Sequence, residues 1–414
     1  QGVGGGALLV TSQTIITESY PQEKRGMAQA LYGMGVIVGP TLGPPLGGYI
    51  IDTFSWPYIF YINIPLGIIA TLLTLQFVRS PKYTEKSKTS DIDWLGIALL
   101  TIFVGSLQFV LEKGHDEDWF DSSLIIIFTI TASLGAFFFV WRELTYRNPV
   151  VNLRVLKNGN LRTGTILSFI LGFGLYGSTF IIPLYTQATL GWTATQAGLL
   201  MIPATLTTAV LMPVIGKMLQ AGVKHQLMAA SGMFVFFIFC MWGYKILTPD
   251  TGEDSFFWML IWRGVAMALL FIPITTLSLS TLKGKQIGEG ASFTGMMRQL
   301  GGSFGIAIIT TFMAKQLIVH RADLASKLDV NNAIVQTRVA GMQQALIAKG
   351  DAPNIALQKA YKLLDLSVLK QASVMSYMDV FYYIGLMFLI CVPFVLLIRG
   401  KLNNSEKPDL SSLH

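Results

Sequence analysis

The stretch Gly33-Met-Gly-Val-Ile-Val-Gly-Pro-Thr-Leu-Gly-Pro-Pro-Leu-Gly-Gly-Tyr49 decides how the rest of the chain is interpreted. Within this apolar run glycine recurs every four residues, at Gly35, Gly39, Gly43 and Gly47. On a helix that spacing leaves one side almost without side chains, so a second helix can pack at backbone distance. Three prolines interrupt the same run, at Pro40, Pro44 and Pro45. A packed membrane bundle tolerates the bends and lost donors that prolines cause, so the stretch predicts a helix-packing face inside a membrane.

The composition of the 414 residues supports a membrane protein, since 52% are hydrophobic and only 13% are charged. A soluble domain carries about 25% charged residues, so most of this surface must face something other than water. Cys240 and Cys391 both lie in apolar runs, which argues against a disulfide framework or a metal site. The net charge of +7 resides in short connections, where it is better explained by membrane orientation than by nucleic acid.

Apolar segments long enough to cross a bilayer, which takes about twenty residues, recur along the whole chain. This rule predicts an all-α polytopic membrane protein with about eleven spans, near 1–19, 27–51, 58–78, 93–111, 123–141, 163–186, 196–217, 226–247, 256–281, 290–318 and 379–399.

Basic residues in the short connections and the tail predict the orientation of the chain. Eighteen Lys and Arg fall on one side of the predicted membrane, against two, Lys113 and Lys245, on the other. The positive-inside rule places the eighteen, and with them the C-terminus, in the cytoplasm. The connection 319–378 is then extracytoplasmic although it carries seven Lys and Arg, because long loops translocate regardless of charge. Its segments 333–348 and 355–369 are predicted amphipathic helices, forming either a solvated lid or a docking surface for a partner.

The chain repeats itself without gaps over residues 1–43 and 263–305, with nine identities that are mostly glycines. Either two helix pairs share a glycine bias, or the repeat is structural. Parallel repeats are a known transporter plan, with the substrate site between the halves near the midplane. The glycine helix would then belong to the face that slides, and we expect Leu at Gly43 to hold the halves apart and impair transport.

Several motifs in combination resemble one known family. They are Gln1-Gly-Val-Gly-Gly-Gly-Ala7, Pro21-Gln-Glu-Lys-Arg-Gly-Met-Ala28, the glycine run from Gly35 to Gly48, Ser55-Trp-Pro-Tyr-Ile-Phe-Tyr-Ile-Asn-Ile-Pro-Leu-Gly67, Leu111-Glu-Lys-Gly114, Asp118-Trp-Phe120, Asn148-Pro149 and Arg298-Gln-Leu-Gly-Gly-Ser-Phe-Gly305. Together they resemble the major facilitator superfamily, in particular its fourteen-span drug:proton antiporters of the EmrB/QacA type. The resemblance covers essentially the whole chain.

This resemblance implies a major facilitator fold entered at helix four, with eleven of fourteen helices present and the N-terminal part missing. Residues 1–80 would then hold helices four to six of the N-terminal half, and 81–160 two extra central helices with cytoplasmic linkers. The C-terminal six-helix half would occupy 161–400, including the extracytoplasmic loop 319–378, and 401–414 would be a cytoplasmic tail.

Charged residues inside a membrane are functional candidates, and three are singled out here: Arg263, Arg298 and Asp379. Arg263 is either an interfacial anchor or a functional group. Arg298 lines the substrate cavity or ties the two halves together. The alternative is that it only pairs with another group in a structural role. Asp379 is the in-chain candidate for carrying the proton, unless it is only the cap of a helix N-terminus. The resemblance instead places the acidic group in the missing first helix.

The resemblance also implies that the substrate site lies on three central helices, at 1–19, 163–186 and 256–281. Six residues on the first two are candidates for substrate binding: Gln13, Phe173, Tyr176, Phe180, Tyr185 and Gln187. Aromatic rings suit lipophilic cations or amphipathic drugs, although each ring alone is equally consistent with ordinary packing. The antiporter motif and packing residues are Gly35, Gly39, Pro40, Gly43, Gly47 and Gly48.

These observations predict a multi-pass secondary multidrug exporter of the bacterial cytoplasmic (inner) membrane. It would move small lipophilic or amphipathic compounds outward in exchange for protons by alternating access. ATP is not expected to drive transport, because the chain has no Walker loop, so the proton gradient is the expected driving force. No cofactor and no enzymatic or nucleic-acid function are expected. The resemblance allows a periplasmic adaptor protein as partner. The alternatives are a proton-coupled transporter of a defined metabolite or siderophore, and a non-transporting scaffold or receptor with the same fold.

Overall fold

The computed structural model describes residues 2–20, 24–78, 93–146, 149–282, 285–329 and 332–397. Within these ranges all regular secondary structure is helical, so the all-α prediction is confirmed. The predicted cytoplasmic tail 401–414 lies outside the described residues, as does the basic connection 79–92.

The N-terminal part consists of two long helices and a broken third one. Helix α1 spans Gly2–Ser19 and α2 spans Arg25–Thr53. The short α3 at Tyr58–Tyr61 leads into α4 at Asn63–Phe77, and no residue of α4 is buried. Together, α3 and α4 form one apolar segment of 20 residues that is long enough to cross a membrane.

Two central helices, α5 at Trp94–Lys113 and α6 at Ser123–Thr145, pack against each other. Their contact is aromatic, since the rings of Phe109 and Phe128 stack with centroids 4.2 Å apart. At the start of α5, the Asp93 carboxylate accepts a hydrogen bond from the Gly96 amide and pairs with Arg142 of α6 at 3.1 Å. The cap and the ion pair therefore fix one end of this hairpin.

The C-terminal part contains the main hydrophobic core. Its helices are α7 at Gly159–Ala188, α8 at Ala194–Leu199, α9 at Ile202–Gln220, α10 at His225–Ile246, α11 at Glu253–Leu279, α12 at Lys285–Ser326, α13 at Ala333–Ala348 and α14 at Pro353–Leu397. Phenylalanines fill the space between α10, α11 and α14, and Phe236, Phe271 and Phe388 are fully buried. Close packing of these rings therefore holds the three helices together.

In the described ranges, nine helical segments are long and apolar enough to cross a membrane, so the chain is a multi-pass membrane protein. The sequence predicted about eleven spans, and the difference lies in α1 and α2. Both form as helices, but glycines, prolines and polar residues lower their hydropathy below that of an ordinary span.

The connection 319–378, in which two helical pieces were predicted, is almost wholly helical in its described residues. Helix α12 continues to Ser326, α13 covers the predicted 333–348, and the predicted piece 355–369 is part of the continuous α14. The 45 residues of α14 extend about 68 Å, roughly twice the hydrocarbon thickness. Since no proline interrupts α14 between Pro353 and Pro393, the apolar helix and its polar extension form one rod.

Of the glycines predicted to pack, Gly48 contacts a neighbouring helix, whereas four others on α2 do not. An ideal Cβ built at Gly33 lies 2.8 Å from the Phe271 ring, and one at Gly48 lies 2.6 Å from the Ala194 carbonyl carbon. Among the described atoms, a Cβ at each of the four predicted packing positions, Gly35, Gly39, Gly43 and Gly47, meets nothing within 4 Å. The reason is geometric, because two residues turn a helix by about 200°, so the row that begins at Gly35 starts on a different side of α2 from Gly33.

Candidate functional site

A cavity of about 500 Å³ lies between α1 and α2 on one side and α7 and α12 on the other. Its lining is mostly apolar, with a few polar groups, as expected for a binding site for small molecules. The lining residues are Gly6, Gln13, Tyr32, Gly35, Val36, Gly39, Tyr176, Ser292, Gly295, Met296, Arg298 and Gln299. We call this space the central cavity.

Glycines create the room for the central cavity. An ideal Cβ at Gly6, Gly35, Gly39 or Gly295 would meet no described atom within 4 Å, so these residues border open space. Two glycines of the run on α2 therefore line the cavity instead of packing against a neighbouring helix. Val36 and Arg298, which occupy equivalent positions in the repeat inferred from the sequence, both line the cavity.

Arg298 is the charged residue of this lining, and it is buried, with 6% of its surface exposed. Its guanidinium carbon lies 4.9 Å from the ring centroid of Phe271, which is within the range of a cation–π contact. The Tyr32 hydroxyl accepts a hydrogen bond from the same guanidinium. Within the described ranges no carboxylate forms an ion pair with Arg298. The cavity therefore contains a positive charge that the described residues do not neutralise.

Gln13 belongs to a buried polar network between α1 and α2. Its Nε2 donates to the Gln29 Oε1 at 3.4 Å, and the Gln29 Nε2 donates to the Thr17 hydroxyl at 2.6 Å. All three side chains are only 1% exposed. Because buried amides are costly to leave unpaired, this network fixes Gln13 at the cavity wall.

A second cavity of about 370 Å³ lies between α5, α7 and α12. It shares Tyr176 and Gln299 with the central cavity, so these two side chains form a common wall. Its α5 side carries titratable groups, Glu112, His115 and Asp116. Just beyond them, the Trp119 indole donates to the Thr311 hydroxyl at 3.1 Å and holds the α5–α6 connection on α12.

The structure distributes the six predicted substrate residues over three environments. Gln13 and Tyr176 line the central cavity, and Tyr176 and Phe180 line the second one. Phe173 is part of the hydrophobic core, and neither of the two cavities includes it.

The last two predicted substrate residues lie at the far end of α7. Tyr185 is 1% exposed, and its hydroxyl donates to the Thr248 carbonyl at 2.6 Å, which is a structural role. Gln187 is exposed near the end of the helix. Neither residue lines the central or the second cavity.

Arg263 lies inside the helical bundle and not at its periphery. It is 3% exposed, its Nε donates to the Ser178 hydroxyl at 2.9 Å, and its Nη2 donates to Thr179. These bonds tie α11 to α7, so the observed geometry differs from the interfacial anchor considered from the sequence.

Asp379 lies well inside α14, so the alternative of a helix N-terminal cap is wrong. Its carboxylate accepts a hydrogen bond from the Gln316 amide at 3.1 Å and lies 2.8 Å from the His320 Nε2. These partners are one turn apart on α12, which is why they present together to α14. Sequence reasoning missed His320 because the pairing joins residues 59 positions apart.

Tyr32 and Gln299 are the other residues that sequence reasoning missed. Gln299 follows Arg298 in a motif already identified, so its position was a usable signal. Tyr32 had no comparable signal, because its role depends on α2 lying opposite α12 across the cavity.

Comparison with known proteins gives consistent results over most of the chain. A family model described as Major Facilitator Superfamily matches residues 1–306. The multidrug export protein EmrB of Escherichia coli strain K12 is 32% identical over 397 residues, which are 95% of this chain and 75% of that protein. The fatty acid resistance protein FarB of Neisseria gonorrhoeae is 32% identical over 400 residues, or 96% and 76% of the two chains. The probable multidrug resistance protein EmrY of Escherichia coli strain K12 is 33% identical over 335 residues, or 81% and 65%.

Proposed function

Because the chain belongs to the Major Facilitator Superfamily, as its motifs predicted, we propose that it is a secondary exporter of lipophilic or amphipathic compounds. The observation that carries this proposal is the central cavity, which lies between the two repeat-related parts of the chain. Relatives named for multidrug export and for fatty acid resistance support the same substrate range. Export across the bacterial cytoplasmic membrane would be driven by protons moving inward.

Alternating access would rock α1 and α2 against the C-terminal helices. The contact that must change is the one between α2 and the pair α8 and α9. At its end, the Thr195 hydroxyl donates to the Asp52 carboxylate at 2.6 Å, an exposed hydrogen bond that is easily broken and remade. The division into halves with two extra central helices remains part of the proposal, as does a periplasmic adaptor as partner.

Proton coupling needs a group that changes its protonation during the cycle. The pair His320 and Asp379 is the candidate in the described part of the chain, because a carboxylate and an imidazole lie 2.8 Å apart and join α12 to α14. The resemblance assigns an acidic group in a first helix as the second candidate. The proton gradient itself is the only driving force in this proposal.

The test is transport into proteoliposomes made with the product of the complete gene, with an imposed pH gradient. Two fluorescent amphipaths of opposite charge, ethidium and 8-anilinonaphthalene-1-sulfonate, are the probes. We expect gradient-dependent movement of at least one probe, and its loss in Gly295→Phe, which fills the central cavity. Gly67→Phe is the matched control, since a Cβ at either glycine meets no described atom within 4 Å and Gly67 is on the exposed α4.

Absence of gradient-dependent movement of either probe would contradict the exporter and favour the non-transporting scaffold. A transporter of a defined metabolite or siderophore makes a different prediction. Cells with and without the gene would then show the same resistance to dyes and drugs. A pH gradient would still drive transport of the metabolite or siderophore itself.

A further inference from the structure

The two buried arginines of the bundle have different surroundings. Arg263 donates two hydrogen bonds to hydroxyls of α7 and lines neither of the two cavities. Arg298 lines the central cavity, where the described residues give it one hydroxyl, from Tyr32, and one ring face, from Phe271. A guanidinium has five N–H donors, so Arg298 retains donors for a ligand.

A buried positive charge without a counter-charge is unfavourable in a low-dielectric interior. Among the described residues that line the central cavity, none is an Asp or Glu. An anionic group that enters the cavity would supply the missing counter-charge and form charge-assisted hydrogen bonds with the guanidinium. A cationic group would meet repulsion there, even though the aromatic rings alone would attract it.

The rest of the lining suits an apolar tail. Val36 and Met296 are apolar, and the glycines leave open space beside them. We propose that Arg298 selects amphipathic anions, with a carboxylate or sulfonate head group at its guanidinium and an apolar body along α2 and α12. This inference rests on the proposed export function and assigns the charge of its substrates.

The second cavity has the opposite electrostatic character. Glu112 and Asp116 are part of its lining, although Lys113 pairs with Asp116 at 3.1 Å. An anionic head group is therefore favoured in the central cavity and disfavoured beyond the Tyr176 and Gln299 wall. Since the charge pattern of the loops predicts that the Lys113 end of α5 faces outward, this difference opposes re-entry of an anion from the outer side.

The test compares the two probes in proteoliposomes containing the wild-type protein, Arg298→Gln or Arg298→Lys. For Arg298→Gln we expect the transport rate of 8-anilinonaphthalene-1-sulfonate to fall at least about tenfold, because charge-assisted hydrogen bonds are lost. The ethidium rate should stay within about twofold of wild type or rise, because repulsion is removed. Arg298→Lys should retain part of the sulfonate transport, because it keeps the charge without the planar fork.

Arg338→Gln is the matched control, because it removes an exposed arginine of α13 far along the chain from the cavity residues. It should transport both probes as the wild type does. The wild-type preference for the sulfonate over ethidium is a second measurement that does not depend on the folding of any variant.

The outcomes separate the two proposals. A wild-type protein that moves ethidium but not the sulfonate would overturn the anion selectivity and leave the export function standing. An equal loss of transport of both probes in a correctly folded Arg298→Gln variant would also overturn the anion selectivity and leave the export function standing. A wild-type protein that moves neither probe would remove the export function and this inference with it.

Discussion

At the scale of single residues, several buried polar groups in this apolar chain are paired with one another, and one charged group lines a cavity. Gln13, Gln29 and Thr17 satisfy one another between α1 and α2, and Arg263 is satisfied by hydroxyls of α7. Arg298 differs because its charge faces a cavity. In the low-dielectric interior an unpaired group is expensive, so the exception indicates function more strongly than any aromatic residue does.

Asp93 gives the first residue-scale prediction, which concerns pH. Burial opposes the charged form, but hydrogen bonds from Arg142 and the Gly96 amide outweigh it and lower the pKa of the Asp93 carboxyl. A lowered folded-state pKa adds stability above the unfolded value of about 3.9, and this stability is lost as pH falls through the folded value. We therefore expect Asp93→Asn to lower the melting temperature at pH 7 and to have little effect at the acid end of the range.

The measurement is the melting temperature of the purified protein from pH 7 down to below the unfolded-state value of about 3.9. Asp323→Asn is the control, because Asp323 pairs with Lys327 on an exposed part of α12, and such surface pairs contribute only about 0–1 kcal/mol. A pH profile of Asp93→Asn parallel to that of the wild type would contradict the assignment.

At the scale of helices, the packing of α2 decides where substitutions are tolerated. The close approaches at Gly33 and Gly48 are to α11 and α8. The packing contribution expected at Gly43 belongs instead to these positions. A row of glycines spaced by four is thus a signal for a helix in a membrane, but not for the side of that helix that packs.

Two substitutions to leucine on α2 test this packing. Gly48→Leu would place a side chain against the backbone of Ala194 and Thr195, where a Cβ already lies 2.6 Å from backbone atoms. We expect it to force α2 and α8 apart and to lower both the melting temperature and the transport rate. Destabilisation of about 1–3 kcal/mol or more is typical of such overpacking.

Gly43→Leu is the matched variant on the same helix, because the described atoms leave its Cβ position open. It should insert, fold and melt as the wild type does. Thermal unfolding in detergent measures both variants. Destabilisation by Gly43→Leu equal to that by Gly48→Leu would contradict the assignment of the packing side to Gly33 and Gly48.

At the scale of the whole molecule, α2 joins the N-terminal helices to the C-terminal part through α9. If alternating access moves these parts, a covalent link between α2 and α9 must stop transport. The Ala30 Cβ lies 3.3 Å from an ideal Cβ at Gly216, close to the usual spacing of about 3.8 Å in a disulfide.

We predict that Ala30→Cys with Gly216→Cys blocks transport when oxidised and regains it when reduced. The background replaces Cys240 and Cys391 by alanine, since both are free thiols. The control pair, Phe103→Cys with Gly135→Cys, links α5 to α6 within their hairpin, with Cβ atoms 3.3 Å apart as in the test pair. Full transport by the oxidised α2–α9 pair, with the crosslink verified on a gel, would contradict relative motion at this contact.

Sequence alone determined the properties that depend on composition and on local pattern. Apolar segments predicted an all-helical membrane protein, because transfer into lipid and backbone hydrogen bonding act on each segment separately. The combined motifs identified the family. The helical character of 333–348 followed from its own residues in the same way.

Tertiary structure decided which side of each helix lines a cavity, packs against a neighbour or forms a polar contact. It placed Gly35 and Gly39 at the cavity instead of a packing face, joined His320 to Asp379, and put Tyr32 beside Arg298. It also separated Tyr176 and Phe180, which line cavities, from Phe173, which is core. These outcomes depend on the rotation and depth of helices that are distant in sequence, and packing between helices fixes both.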